Sequence, residues 1–380
     1  MKKKLFKTTG KLLFLVTVTL FFFACANEVA KEEPNPDRFP PKPNPESYIV
    51  YRTSAPIVVD GKLNAEEWDK APWSAYFVDI EGDKKPEPQY KTRIKALWDD
   101  ENIYFAVEME EPHVWAKLRQ RDTVIFHDND FEIFIDPDGD THAYYEYEVN
   151  AFGTSWDLLL IKPYRDGGPA VNGWDIAGLQ VGVHVDGTIN NPFDIDKGWS
   201  VEVAIPLRVL RECTVGGRLP EPGTQWRVNF SRVQWRTHVA NGTYVKDINP
   251  ETNRPFPEDN WVWSPQGRIN MHMPEMWGYF QFSGITAGEG VEEFVPDADA
   301  DEKWALRLIY YAQGQYFREH GKYANNLNEL RLSSSDMPPG FNKPIIMTTR
   351  TTYEAYYQDS PLTIYNDGRL ADSRLRPRRR

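Results

Sequence analysis

The stretch Gly198-Trp199-Ser200-Val201-Glu202-Val203-Ala204-Ile205-Pro206 decides the fold class of this chain. Apolar residues occupy every second position from Trp199 to Ile205, so in a strand they share one face. Pro206 ends the strand because it has no N–H to donate. This alternation predicts a β-strand with one buried face and one solvated face.

The same period of two recurs from Tyr48 to about Gly284, and short polar connections such as Asp99 to Asn102 separate the alternating segments. Frequent Pro and Gly, with 29 and 25 residues, and 14% aromatic residues also favour many short strands over long helices. At least eight strands are predicted. We therefore expect a mainly β protein with an antiparallel β-sandwich over residues 48–285.

The N-terminal segment is predicted to direct export. A basic stretch to Lys11 and a predominantly apolar run of 12 residues from Leu12 to Phe23 lead to Phe22-Phe23-Ala24-Cys25, which is similar to a bacterial lipobox. We expect a signal peptide at 1–24, lipid attachment to Cys25 and a Pro-rich tether at 25–47; an ordinary signal cleaved nearby is the alternative. The chain would then be secreted across the inner membrane and lipid-anchored at the outer membrane or cell surface.

The C-terminal part is predicted to be a small α+β extension at 300–370 that docks on the sandwich. A helical stripe runs from Ala305 to Tyr316, and two alternating segments after Met347 suggest a terminal strand pair. The arginine-rich end, residues 371–380, is expected to be a solvated, disordered basic tail.

Charge and cysteine content exclude several classes of protein. The 44 basic and 56 acidic residues give a net charge of −12, which disfavours nucleic-acid binding. Cys213 is the one cysteine besides Cys25, so we predict no intrachain disulfide. The chain contains no Gly-x-Ser-x-Gly, His-Glu-x-x-His or phosphate-loop motif, so the most common hydrolase and nucleotide-binding sites are absent from the sequence.

Two groups of acidic residues could carry chemistry. Asp130 and Glu132 lie two apart on a predicted strand, about 6.6 Å from each other, which is near the carboxylate spacing of glycosidases. Solvation of an exposed strand face is the favoured explanation, because no second acid can be placed on the opposite side of a substrate. Asp136, Asp138 and Asp140 alternate through a turn with Gly139 and form a candidate calcium site, although such a turn also forms without metal.

Aromatic side chains are the most informative residues for function. A sugar ring presents apolar C–H faces edged by hydroxyl groups, so sugar sites combine a flat aromatic surface with polar side chains. Candidates for such surfaces, with core burial as the alternative for each, are Phe126, His127, Trp156, Trp174, Trp235, Trp261 and Trp263.

Six blocks of sequence, taken in order, resemble carbohydrate-binding module family 9. They begin at Val58-Val59-Asp60-Gly61, Ala96-Leu97-Trp98-Asp99, Asp130-Phe131-Glu132-Ile133, Tyr147-Glu148-Val149-Asn150, Gly198-Trp199-Ser200-Val201 and Trp226-Arg227-Val228-Asn229. The resemblance covers about Ile57 to Phe282. It implies a β-sandwich that binds sugars without cleaving them, sometimes holds structural calcium, and accompanies glycan-degrading systems.

The resemblance also implies roles for individual residues. Phe126 would stack on the sugar, where the family carries Trp, and Glu132 and Asn150 would hydrogen-bond its hydroxyl groups. Further candidates for sugar contact are His127, Asp128 and Trp263. The chain departs from the family at Met271, near which a second stacking Trp falls, and at Glu148, where the family carries Arg. These departures argue against a cellulose-type ligand.

The sequence therefore predicts non-catalytic carbohydrate binding by an extracytoplasmic lipoprotein that takes part in glycan degradation or uptake. The expected partners are an oligosaccharide or polysaccharide, the membrane through Cys25, and other glycan-uptake proteins, but no nucleic acid. No cofactor is required, and calcium is the candidate metal. Two alternatives are a glycoside hydrolase that uses Asp130 or Glu132, and an assembly partner with a vestigial sugar pocket.

Overall fold

The computed structural model describes residues 38–375. The predicted signal peptide 1–24, the lipidation residue Cys25, most of the tether and the last five residues of the basic tail lie outside the described residues. The chain from Phe39 onward forms one unit. Within residues 38–375, no helix combines the length and the apolar character needed to span a bilayer.

Strands dominate the regular structure, which confirms the mainly β class. They are β1 (Ser47–Arg52), β2 (Val78–Asp79), β3 (Thr92–Trp98), β4 (Asn102–Glu110), β5 (Asp130–Asp136), β6 (Tyr144–Asn150), β7 (Ser155–Leu160), β8 (Ala170–Val171), β9 (Gln180–Asp186), β10 (Gly198–Pro206), β11 (Gln225–Gln234), β12 (Thr237–Ala240), β13 (Thr243–Lys246), β14 (Ile248–Asn249), β15 (Arg254–Pro255), β16 (Asp259–Val262), β17 (Gly278–Thr286), β18 (Ile345–Thr348), β19 (Tyr353–Tyr356), β20 (Leu362–Tyr365) and β21 (Leu370–Asp372). The α-helices are α1 (Glu66–Lys70), α2 (Leu207–Leu210) and α3 (Ala300–His320). Short 3₁₀ turns span Gly82–Lys84, Ile125–His127, Tyr164–Asp166, Arg211–Cys213, Val215–Gly217 and Pro274–Met276.

The predicted sandwich is present, and its two layers are joined along one edge. The main strand order is β8-β7-β6-β5-β11-β17-β1-β3-β4-β10-β9. Neighbours on this path are antiparallel except at β1, which runs parallel to both β17 and β3. The layers face each other across a shared core, where the Phe105 ring of β4 lies 5.6 Å from the Phe230 ring of β11.

The strand β10 lies in the centre of its layer, between β4 and β9. Its alternate residues from Trp199 to Ile205 are at most 4% exposed and belong to the main core, as the alternation predicts. The expectation of a solvated outer face is wrong for this strand, because Glu202 and Ala204 are each 1% exposed. Residues of the segment before β2 cover that face, among them Ile57 and Trp68.

Glu202 explains why two distant sequence blocks occur together. Its carboxylate accepts hydrogen bonds from the backbone N–H groups of Asp60 and Gly61, at 2.8 and 2.7 Å, and from Trp68 Nε1 at 2.7 Å. Gly61 is required here, since its φ is +84° and a Cβ atom would lie 2.6 Å from the backbone of Val183. The Asp60-Gly61 turn is thus held on the outer face of β10.

The C-terminal part forms a separate hydrophobic cluster in which α3 packs on a four-stranded antiparallel sheet, β18-β19-β20-β21. The expected strand pair is thus half of this sheet. Arg307 of α3 donates to the Gly368 carbonyl and, at 3.2 Å, to the Thr141 hydroxyl, so it joins this sheet to the turn after β5. Met273 and Met276 belong to the same cluster.

Both ends of the described chain contact the fold. Phe39 packs against the C-terminal cluster, and Lys42 pairs with Asp301 at 2.5 Å, so residues 39–46 do not form a free tether. At the other end, Arg374 pairs with Asp372 and Asp299. Residues 371 and 372 belong to β21, so the expectation of a disordered end is wrong for them, whereas residues 373–375 are exposed.

Candidate functional site

Four acidic side chains lie together on the outer face of β5 and β6, and we call Asp130, Glu132, Glu146 and Glu148 the acidic face. Alternate residues of each strand point into the core, so the acidic residues between them point outward. Glu132 lies directly opposite Glu148 in the antiparallel pairing. Like charges in this arrangement repel each other, so the face requires a physical explanation.

The acidic face is buried rather than solvated. Asp130 and Glu148 are 0% and 1% exposed, and Glu132 and Glu146 are each 5% exposed. Both carboxyl oxygens of Asp130 lack a hydrogen-bond partner. Among the described residues, no lysine or arginine forms a salt bridge with any of the four; the buried arginines pair elsewhere, as Arg232 does with Glu111.

Burial is the largest cause that raises the pKa of each carboxyl group in the acidic face. The negative charge of Glu132 raises the pKa of the other three further. Each group therefore binds a proton more readily than an exposed carboxylate does. The acidic face is therefore a buried cluster of acids and not the solvated strand face that the sequence also allowed.

Phe126 lies at the edge of the acidic face, on the 3₁₀ turn Ile125–His127. Its backbone N–H donates to Glu148 Oε2 at 3.0 Å, and its carbonyl accepts from Trp235 Nε1 at 2.8 Å. The Phe126 side chain is half-buried, and the exposed His127 ring lies 5.0 Å from it. The structure thus places the Phe126 backbone in contact with Glu148, and the His127 ring next to that of Phe126.

Trp156 lies on β7, directly opposite Glu148, and is therefore not a loop residue as the sequence suggested. It is half-buried, and its Nε1 is enclosed without a hydrogen-bond partner. Met271 packs against the same apolar cluster as Trp156, which is centred on residues such as Trp277. We call Phe126, His127, Trp156 and Met271 the rim of the acidic face.

Asn150 and Asp128 are structural residues, which corrects the prediction that they contact sugar. Asp128 Oδ2 accepts the backbone N–H groups of Lys117 and Leu118, both at 2.8 Å, and Asn150 Nδ2 at 3.0 Å. Asn150 also donates to the Leu118 carbonyl at 2.9 Å and accepts two backbone N–H groups of the following turn. Asn150 and Asp128 are 0% and 2% exposed, and their polar atoms hold the loop before β5 and the turn after β6.

Trp263 is a core residue, which corrects its prediction as a sugar contact. It is 2% exposed, and its ring lies 5.8 Å from that of Phe230 and 5.5 Å from that of Phe280. A Cβ atom on Gly278 would lie 2.3 Å from the Trp263 ring, so the glycine makes room for it.

The predicted calcium turn brings Asp136, Asp138 and Asp140 together, with carboxylate atoms within 4.8 Å of one another. Each of them already has a partner: Asp136 accepts the N–H groups of Gly139 and Thr141, and Asp138 accepts that of Asp140. Asp140 also pairs with Arg369 at 2.8 Å. The turn thus contacts the C-terminal sheet and has an explanation that needs no metal.

Sequence reasoning did not assign Glu146 to a site, and it noted Glu148 only as a departure from the family. The alternation of β6 offered a signal for both, because they fall on the same face as Asn150. Nothing in the sequence indicated that this face would be buried.

Comparison with known proteins points to one family. Residues 59–220 match the model of a family described as carbohydrate family 9 binding domain-like. A search of curated proteins finds no match to the chain.

Three solved structures are similar to this chain. A carbohydrate binding module family 9 from Caldicellulosiruptor kristjanssonii, in complex with cellotriose, is 17% identical, with a TM-score of 0.41 over 66% of this chain and 100% of that one. Its glucose complex is 15% identical, with a TM-score of 0.40 and the same coverage. A putative carbohydrate-binding protein from Bacteroides uniformis ATCC 8492 is 17% identical, with a TM-score of 0.46 over 63% of this chain and 99% of that one.

Proposed function

We propose that this protein binds carbohydrate without cleaving it. The proposal starts from the match to the family described as carbohydrate family 9 binding domain-like. The binding site is the rim, with Phe126 as the stacking surface and Glu132, at the edge of the acidic face, as the hydrogen-bonding group at its base. The matched residues 59–220 include Phe126 and Glu132.

One observation carries this proposal: a partly exposed aromatic residue adjoins a pair of opposed acidic side chains. The Phe126 backbone N–H donates to Glu148 Oε2, and Glu132 lies opposite Glu148. The apolar C–H face of a sugar would pack on Phe126, while its hydroxyl groups hydrogen-bond to the Glu132 carboxyl group, which can accept in either protonation state.

The burial of Asp130 supports binding over hydrolysis. A general acid must lie within hydrogen-bond reach of the glycosidic oxygen, and Asp130 is 0% exposed. Glu132, the other candidate in the glycosidase hypothesis, lies beside Asp130 on the same face of β5. The two acids therefore cannot act from opposite sides of a substrate.

We further propose that the protein acts at the cell envelope in glycan degradation or uptake. The lipobox-like sequence before Cys25 supports lipid anchorage at the outer membrane or cell surface. Solved relatives from this family were determined in complex with cellotriose and with glucose, which supports a saccharide ligand for this chain.

The test is a calorimetric titration of the full-length protein, in mild detergent, with a panel of oligosaccharides. Replacing Phe126 with Ala removes the stacking surface, which is worth about 1–1.5 kcal/mol, so affinity should fall about tenfold. The matched control is Phe193→Ala. Phe193 is 85% exposed and lies on a different loop, between β9 and β10.

If Phe126→Ala and wild type bind the same glycan with equal affinity, the rim is not the binding site. Binding to no glycan on the panel, combined with co-purification of other envelope proteins, would favour the assembly partner with a vestigial pocket. Release of shortened glycans that stops in Glu132→Gln would favour the glycoside hydrolase instead.

A further inference from the structure

Three members of the acidic face are close enough to share one ligand. Asp130, Glu132 and Glu148 each offer a carboxylate oxygen, and the three oxygens lie within 4.8 Å of one another. Oxygen ligands of a single Ca²⁺ ion lie about 2.3–2.6 Å from it, so two of them can be separated by up to about 5 Å. The carboxylates therefore need little movement to surround one cation.

The state of Asp130 provides a second, independent observation. Its side chain is 0% exposed, yet neither carboxyl oxygen has a hydrogen-bond partner. Buried polar atoms in native proteins are nearly always paired, so an orphaned carboxylate indicates that a partner is missing. Because its oxygen points at those of Glu132 and Glu148, the missing partner belongs between the three.

Side chains of the protein do not neutralise this cluster. The Lys246 ammonium is the basic group that interacts electrostatically with Asp130, but its Nζ lies 3.1 Å from the centre of the Trp235 ring. Arg232 is paired with Glu111 at 3.0 Å. In the part of the chain that the structure describes, the cluster therefore has no basic side chain in contact with it.

We propose that Asp130, Glu132 and Glu148 bind one divalent metal ion, and that this ion is Ca²⁺. Three carboxylates offer only oxygen donors, which hard cations prefer and which transition metals that favour nitrogen or sulfur do not. Calcium accepts the irregular geometry of donors from two adjacent strands, whereas Mg²⁺ demands a near-octahedral arrangement. Calcium binding here does not require a bound carbohydrate, although Glu132 takes part in both proposals.

The turn from Asp136 to Asp140 is the competing location for calcium, and the two sites differ in their bonding. Every aspartate of the turn has hydrogen-bond donors from the protein. Asp130 has none. A variant in each site therefore separates them, and Asp138→Asn is the matched control because it also removes one carboxylate from a cluster of three.

The experiment is isothermal titration calorimetry of CaCl₂ into the full-length protein after EDTA treatment and desalting, with no glycan present. Wild type should bind calcium with a Kd on the order of 10⁻⁴ M, typical of sites outside the cytosol. Asp130→Asn should lose one bound ion or weaken binding at least tenfold. Asp138→Asn should keep that ion.

Wild-type protein that binds no calcium would overturn the proposal, as would Asp130→Asn with unchanged stoichiometry and affinity. Loss of the ion in Asp138→Asn but not in Asp130→Asn would assign calcium to the turn. Glu132→Gln provides a second variant should Asp130→Asn fail to fold, with circular dichroism as the check. Since glycan is absent, failure here leaves the carbohydrate proposal to its own test.

Discussion

Replacing Glu148 with Gln should stabilise the metal-free protein at neutral pH. Burial and neighbouring carboxylates raise the pKa of Glu148 well above its ordinary value of 4.5, so the folded protein binds a proton there more tightly than the unfolded chain does. Keeping that proton bound at pH 7.5 costs about 4 kcal/mol, or about 1.4 kcal/mol for each of the three pH units between 4.5 and 7.5, and this sets the upper limit of the effect.

Leaving Glu148 ionised would also cost free energy, because its charge repels those of its neighbours. Ionised oxygens within 4.8 Å of each other repel by at least about 3 kcal/mol per pair at an effective dielectric constant of 20. Glu148 takes part in two such pairs, with Asp130 and Glu132. Removing its charge should therefore raise the free energy of unfolding by up to about 4 kcal/mol, and Gln keeps an oxygen that can accept the Phe126 N–H.

The sign of the pH dependence follows from the raised pKa. An acid that binds its proton more tightly in the fold makes the fold less stable as pH rises above the ordinary pKa. The benefit of Glu148→Gln should therefore shrink to less than about 1 kcal/mol at pH 5, where protonation costs little. Wild type in EDTA should itself become more stable between pH 7.5 and pH 5.

Urea denaturation in EDTA at pH 7.5, 6 and 5 measures both effects. The matched control is Glu108→Gln, because Glu108 is an exposed glutamate on β4 that pairs with Arg93, and it should change stability by no more than about 0.5 kcal/mol. A Glu148→Gln variant that is less stable than wild type at pH 7.5, or whose advantage does not depend on pH, would refute the electrostatic reasoning.

Two further predictions concern buried carboxylates that have partners. Glu202→Gln should lower the free energy of unfolding by about 2–3 kcal/mol in urea melts, because one oxygen is replaced by a donor that faces N–H groups such as Trp68 Nε1. Burial opposes ionisation of Glu275, but Arg165 outweighs it and holds the pKa of Glu275 at about 2, so wild type should lose about 3 kcal/mol as pH falls from 4.5 to 2. Acid titrations of Glu275→Gln should lack this loss; an unchanged acid transition would contradict it.

The fold was predictable because its signals are local. Apolar alternation in β10 identified a strand, and the family blocks identified the sandwich, so the resemblance to carbohydrate-binding module family 9 is confirmed. What alternation could not indicate is that the outer face of β10 would be covered by another segment. Glu202 reads as a solvated residue in sequence, but it is the acceptor that holds the Asp60-Gly61 turn.

The candidate site was less predictable, because a residue's position in a motif does not determine which groups surround it. Asn150 and Asp128 lie beside the acidic face in sequence, yet both hydrogen-bond to the backbone of Leu118, which is ten or more residues away from each. Trp263 follows β16 and turns into the core. The contact of the Phe126 backbone with Glu148 depends on the 3₁₀ turn Ile125–His127, which strand alternation does not predict.

The residue at position 148 determines what chemistry the acidic face can perform. An arginine there, as the resemblance gives for the family, would lie opposite Glu132 and neutralise it, leaving a site that recognises neutral hydroxyl groups directly. With Glu148, the same backbone positions hold three carboxylates within 4.8 Å of one another and an Asp130 with no partner. Such a group is stable only with bound protons or a bound cation, because burial prevents water from screening it. On the proposals above, a ligand that binds at Phe126 therefore contacts a site whose charge depends on pH and on bound calcium. Measuring the affinity for that ligand with and without EDTA tests the dependence on calcium.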